Sequence, residues 1–117
     1  GLRFARQVAE ELASAGARIV SGLAYGIDAA AHRGALEAAG RGTTIAVLGN
    51  GLARIYPARH ETLARSIVER GGVLLSQFEP DVPPLPHNFL DRNRVIAGLC
   101  AGVIVVQAAE RSGSLVT

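Results

Sequence analysis

The sequence predicts an α/β protein: a Rossmann-like parallel sheet with helices on both faces. Three observations carry that prediction. Helical and strand periodicities alternate along the chain, the strands are short unbroken apolar runs, and glycine closes each helical pattern. The pattern is open at both ends, so residues 1–117 read as a single domain fragment truncated at each end. There is no methionine, and the first residues already lie inside an amphipathic repeat.

Residues 2–15 place Phe4, Val8, Leu12 and Ala15 at helical spacing among charged residues, and Gly16 stops the helix. Residues 18–21 form a short strand centred on Ile19 and Val20. After a loop at 22–26, Asp28 is placed to cap a helix that Gly40 and Gly42 end. Residues 43–48 are β-branched and apolar, as in a buried strand. Gly49-Asn50-Gly51 opens a loop to Pro57, which starts a helix running to residue 70 with Leu63, Ala64, Ile67 and Val68 inward. Residues 73–76 make a third strand. Four of the five prolines fall within 78–91, which reads as a rigid connector rather than an element. Residues 92–101 are helical, 103–106 form a fourth strand, and Ser112-Gly113-Ser114 opens a further helix.

Composition narrows the function classes. With 49% hydrophobic and 19% charged residues, the chain is neither disordered nor low-complexity. A single cysteine, Cys100, excludes a disulfide framework and a cysteine-cluster zinc site, and points to a reducing, cytoplasmic setting. Its place in an apolar helix predicts a small buried hydrophobe. All twelve basic residues are arginine, and the net charge of +2 is too small to argue for nucleic acid by itself. The longest uncharged run, residues 95–109, is shorter than a membrane span, and no secretory signal is present.

The unusual residues gather at one edge of the predicted sheet. Ligands bind where strands end and the following helices begin. That edge receives Ser21, Gly22, Tyr25 and Gly26, then Gly49, Asn50 and Gly51, then Phe89 and Arg92-Asn93-Arg94, and finally Ser112, Gly113 and Ser114. The opposite edge receives plain glycine turns. Glycine and serine loops let backbone amides approach phosphate, arginines fork onto its oxygens, and aromatic faces stack on bases. Each feature also has a plain explanation, since turns, sheet-sealing aromatics and surface ion pairs need no ligand. Their convergence favours an anionic, ring-bearing ligand. Of the two arginines, Arg92 is expected to reach outward, and Arg94 to lean inward and support stability.

Cofactor and catalytic motifs are missing. Gly49-x-Gly51 lacks the rest of a dinucleotide fingerprint, and a Walker A loop needs a lysine. Asp28 and His32, one helical turn apart, suit either a base pair for proton transfer or, more ordinarily, a solvated helix contact. His32, His60 and His87 lie in separate segments without metal-ligand spacing. No catalytic residue, metal or cofactor is therefore expected.

Several segments together resemble the DNA-processing protein A (DprA/Smf) family of bacteria. They are Val20-Ser21-Gly22-Leu23-Ala24-Tyr25-Gly26-Ile27-Asp28 with His32, Ile45-Ala46-Val47-Leu48-Gly49-Asn50-Gly51 with Tyr56-Pro57, Phe89 with Arg92-Asn93-Arg94-Val95-Ile96-Ala97-Gly98, Val105-Val106-Gln107-Ala108, and Ser112-Gly113-Ser114-Leu115-Val116-Thr117. Leu90, Cys100 and Gln107 depart from the family pattern, where proline, serine and glutamate are usual. The resemblance implies a Rossmann-like domain that binds single-stranded DNA without enzymatic activity. It further implies protection of incoming DNA during natural transformation, loading of the RecA recombinase, and a homodimer in the full-length protein. It places DNA on the Ser21 to Gly26 loop, on Phe89 with Arg92 to Arg94, and on the Ser112 to Ser114 turn. A rival class, a nucleotide-processing enzyme of the phosphoribohydrolase type, carries a P-G-G-x-G-T-x-x-E motif that does not occur here. A structural α/β domain with no ligand of its own is the third alternative.

Overall fold

The computed structural model describes residues 1–39 and 43–102. Four helices, α1 (Leu2–Ser14), α2 (Ile27–Glu37), α3 (Glu61–Glu69) and α4 (Pro86–Leu99), alternate with three strands, β1 (Ile19–Ser21), β2 (Thr44–Val47) and β3 (Val73–Leu75). A short 3-10 turn, Ala58–His60, precedes α3. The strands form one parallel sheet in the order β1-β2-β3. Val20 pairs with Ile45, and Ala46 with Leu74. This is the α/β architecture that the alternating periodicities predict. The expected strand at 103–106 and the Ser112-Gly113-Ser114 helix start lie outside the described residues, as do Gly40 and Gly42.

Between α2, α3 and the sheet lies the core: Leu23, Ala29, Ala46, Leu48, Leu63, Ala64 and Ile67, flanked by Leu36, Ile55 and Leu74. Burying a leucine- or isoleucine-sized side chain contributes about 1.5–3 kcal/mol, so this small cluster is the main apolar anchor of the sheet. Of the side chains expected inward on α3, Val68 is instead exposed.

The first helix departs from its expected face. The bulky line of Phe4, Val8 and Leu12 does not enter the core: Phe4 and Leu12 are exposed and Val8 is only half-buried. Ala5, Ala9 and Ala13 are buried in its place. The reason lies on α2, where a Cβ at Gly34 would strike the Arg6 carbonyl and approach the Ala9 methyl to 3.1 Å. Small residues on both helices let the backbones come close, and the apposed face is therefore the alanine line one residue further on. Arg6 and Glu37 bridge the same helix pair at its rim.

Two boundaries also move. The helix expected from residue 92 begins at Pro86, with proline in the first turn, where its missing N–H costs nothing. Phe89, Leu90 and Asp91 are thus helical rather than part of the connector. The helix expected from Pro57 begins only at Glu61, because the 3-10 turn intervenes.

Candidate functional site

Asp28 does not cap α2. Its Oδ2 accepts the amides of Gly22 at 3.1 Å and Ala24 at 3.3 Å, closing the loop after β1 onto the helix that follows. The amide between them, that of Leu23, donates to His32 Nε2 at 3.2 Å. Three successive loop amides are therefore spent inside the protein, and the expected phosphate cradle of free N–H groups is not formed by Gly22 and its neighbours. What the loop presents outward is Tyr25, 62% exposed.

His32 is fully buried and is neither a proton-transfer base beside Asp28 nor a solvated contact. Its Nε2 accepts from Leu23, so Nδ1 carries the proton and donates to Thr44 Oγ1 at 2.7 Å; that hydroxyl in turn donates to the Ile19 carbonyl. Burial is the largest cause holding its pKa down at about 4; Asp28 opposes the shift, and His60, Arg33 and Arg92 reinforce it.

The loop after β2 is built differently. Gly49, Asn50 and Gly51 are all buried. A Cβ on Gly49 would lie 2.5 Å from the Phe89 ring, and one on Gly51 would strike the carbonyls of Glu79 and Pro80. The Gly51 amide donates to the Val82 carbonyl at 2.9 Å. Asn50 Nδ2 donates to the carbonyls of Gly51 and Arg54, while its buried Oδ1 has no partner. Gly49 lies under Phe89 of α4 and Gly51 against residues 79–80, so the three form a buried floor rather than the exposed amide nest expected to approach phosphate.

Helix α4 supplies the link between the two loops. Arg92 Nη1 donates to the Gly22 carbonyl at 2.8 Å and to the Val47 carbonyl at 2.9 Å, while Nε donates to Asn93 Oδ1 at 3.0 Å. Its guanidinium lies 5.3 Å from the centre of the Phe89 ring, within cation–π range. Burial lowers the Arg92 pKa, and the Asp28 charge opposes that shift. Among the described residues Arg92 forms no ion pair. The expected roles of the two arginines are thus exchanged. Arg92 is 5% exposed and ties the ends of β1 and β2 together. The Arg94 side chain is 81% exposed, with only a 4.0 Å contact to Asp91. The earlier helix start takes Arg92 out of the first turn, where it was expected to reach outward, and its side chain packs on the strand ends while that of Arg94 faces solvent. Asn93 is buried beside Arg92.

Above this floor the aromatic rings form two contacts. Tyr25 meets His60 edge-on, with ring centres 5.0 Å apart, and Tyr56 meets Phe89 at 5.9 Å. His60 is itself buried and bonds the Leu23 carbonyl through Nδ1. The structure therefore brings together Gly22, Tyr25, Gly49, Phe89, Arg92 and Asn93 at the carboxyl ends of β1 and β2. Ser21 ends β1 half-buried, and Gly26 is exposed at the start of α2. Ser112, Gly113 and Ser114 lie outside the described residues. Sequence reasoning places Tyr56 on this edge but gives His60 no part in the site, and it weighs His32 only as a base beside Asp28, not as a support of the loop. The buried Thr44 opening β2 was the available signal for His32, since a buried hydroxyl needs a polar partner.

A groove of about 590 Å³ between residues 52–55 and α3 contains none of these residues. Cys100, just after α4, is partly exposed rather than buried, and what burial it has raises its thiol pKa. Among the described residues there is no cluster of metal-binding side chains, and no helix is long and apolar enough to cross a membrane.

Comparison with known proteins shows which family the chain resembles. The chain is 57% identical over 117 residues to Protein Smf of Escherichia coli K12, covering all of this chain and 31% of that protein. It is 50% identical over 99 residues to the DNA processing protein DprA of Streptococcus pneumoniae R6, covering 85% of this chain and 34% of the relative. Among solved structures, DprA from Streptococcus pneumoniae superposes with a TM-score of 0.86 at 45% identity, over 98% of this chain and 39% of that one. DNA processing protein A from Helicobacter pylori, solved to describe its single-stranded DNA binding mode, superposes with a TM-score of 0.87 at 36% identity, over 98% of this chain and 51% of that one. The chain thus spans about a third of the length of these curated relatives. The family model for DNA recombination-mediator protein A matches residues 1–117, and the chain belongs to that family.

Proposed function

We propose that this chain is the single-stranded-DNA-binding part of a recombination mediator that protects incoming DNA and loads RecA onto it during natural transformation. It works in the cytoplasm, as a homodimer in the full-length protein, and by binding rather than by catalysis. The observation that carries the DNA reading is the aromatic rim of Tyr25, Tyr56 and Phe89 around a buried Arg92 at the strand ends. The Arg92 guanidinium is hydrogen-bonded to carbonyl oxygens and forms no ion pair among the described residues, so its charge, only partly offset by nearby Asp28, favours a phosphodiester at the rim. Exposed ring faces accept bases of any sequence. The DNA-binding relative from Helicobacter pylori, aligned over nearly the whole chain, supports the same reading.

The mediator roles rest on the family alone. The DNA reading is tested by titrating dT oligonucleotides of several lengths into the full-length protein at several salt concentrations. Affinity is expected to rise with length and to fall with salt, at about 0.7 counterion per phosphate contact. Salt-independent binding, a preference for duplex, or turnover of a nucleoside monophosphate overturns it.

A further inference from the structure

Leu23 is the one non-glycine among the described residues with a positive φ, 61°. That conformation is unfavourable for a bulky side chain and persists only where its surroundings impose it. Three constraints do so. The Leu23 side chain is fully buried in the core. Its N–H donates to His32 Nε2, and its carbonyl accepts a 2.6 Å hydrogen bond from His60 Nδ1, which must therefore carry the ring proton. The two imidazoles come from different helical segments, α2 and the turn before α3, and they hold opposite ends of one residue. Two positions further on, the Tyr25 ring packs edge-on against His60.

We propose that His60 and His32 are positioning residues for DNA binding: together they clamp Leu23 so that the loop is already set when it presents Tyr25. His60 has a double part, since one ring nitrogen fixes the loop backbone while the ring itself orients the exposed tyrosine. His32 anchors the same peptide to the sheet through Thr44 and Ile19. A loop held in this way loses little freedom on binding, so more of each contact survives as affinity. This inference rests on the single-stranded-DNA reading above.

The test compares His60→Ala, His60→Asn and His60→Gln in the full-length protein. Two quantities are measured: affinity for a dT oligonucleotide, and amide hydrogen exchange in the segment 20–26. The asparagine amide nitrogen falls near the Nδ1 position and retains the bond to Leu23, whereas the glutamine amide reaches the Nε2 position and loses it. His60→Ala and His60→Gln are expected to lose about tenfold in affinity, as the ordering cost returns, with faster exchange in 20–26 and unchanged exchange in α1. His60→Asn is expected to keep the protection and most of the affinity. Equal behaviour of the asparagine and glutamine variants, or wild-type affinity in His60→Ala, overturns the proposal. If His60→Ala does not fold, the asparagine and glutamine pair decides alone. If the wild-type protein binds no single-stranded DNA, the functional reading fails. Exchange then judges the clamp: protection kept by asparagine and lost by glutamine sustains it, and no difference overturns it.

Discussion

The loops after β1 and β2 both carry glycine at the same edge of the same sheet, yet they are fixed by different means. Residues 22–24 are held by polar side chains: Asp28 takes two amides, His32 takes one, and His60 takes a carbonyl. Residues 49–51 are buried under Phe89 and against the backbone of residues 79–82, with hydrogen bonds from Ser76 Oγ to the Asn50 carbonyl and from the Gly51 amide to the Val82 carbonyl, and none to a titratable side chain. A loop held from beneath by hydrogen bonds keeps its outer side free, and Tyr25 uses that freedom. A loop held by burial has no outer side and serves as floor. Glycine at a strand end therefore signals close approach of something, and the structure decides whether that is a ligand or the protein itself.

Acid should separate the two loops with the largest effect. His32 must be neutral to accept from Leu23, and burial lowers its pKa from 6.5 to about 4. Between those values the unfolded chain binds the proton that the folded chain refuses, so stability falls as the pH drops through that window. It is fully present above pH 6.5, and the loss is complete below about pH 4. At 1.36 kcal/mol per unit the loss amounts to at most about 3 kcal/mol. Thermal melting of wild type and His32→Gln from pH 7 to pH 4 checks it: the wild-type curve should slope and the variant's should be flatter. Residues 49–51 contain no titratable group, so parallel slopes for the two proteins would contradict the polar-clamp account of the first loop.

The second loop should break sterically. In Gly51→Ala the new methyl meets two backbone carbonyls, which cannot swing aside as a side chain can. Overpacking of this kind costs about 2 kcal/mol, and the cost should not vary with pH. Urea denaturation at pH 7 and pH 5 measures both points. At Gly22 the corresponding Cβ lies 2.5 Å from Arg92 Nη1 and 2.8 Å from Asp28 Oδ2, both side-chain atoms. A Gly51→Ala variant as stable as wild type would mean that the packed floor yields.

Much of this was legible in the sequence. Alternating periodicities gave the parallel sheet, because a buried strand and an amphipathic helix leave different spacings. The gathering of Tyr25, Phe89 and Arg92 at one edge followed from where they fall relative to the strands. Side-chain direction was not legible. Position 92 lies past the first turn because α4 begins at Pro86, six residues before the expected start, and its inward direction is set by carbonyls of distant segments, Gly22 and Val47. The alanine face of α1 was hidden because bulky residues dominate a hydrophobic pattern, while close helix approach selects small ones. His60 was invisible since its partner, the Leu23 carbonyl, lies 37 residues away and carries no sequence signal.

The smallest expected effect sharpens the comparison above the floor. Arg92 joins the roots of both loops, at Gly22 and Val47, and cannot be removed without orphaning two carbonyls. Arg94, two residues along the same helix, touches neither loop, and its 4.0 Å approach to Asp91 is too exposed to matter for folding. Arg94→Ala should therefore leave the melting temperature nearly unchanged. Its charge remains available to a passing phosphate, and on single-stranded DNA each such contact adds about 0.7 to the slope of log affinity against log salt. Oligo-dT titrations of wild type and Arg94→Ala at matched salt concentrations should show that slope reduced by one contact. A lowered melting temperature would return Arg94 to the interior, where the sequence alone had put it. An unchanged slope with unchanged melting would remove it from the DNA path and leave the aromatic rim and Arg92 as the binding surface.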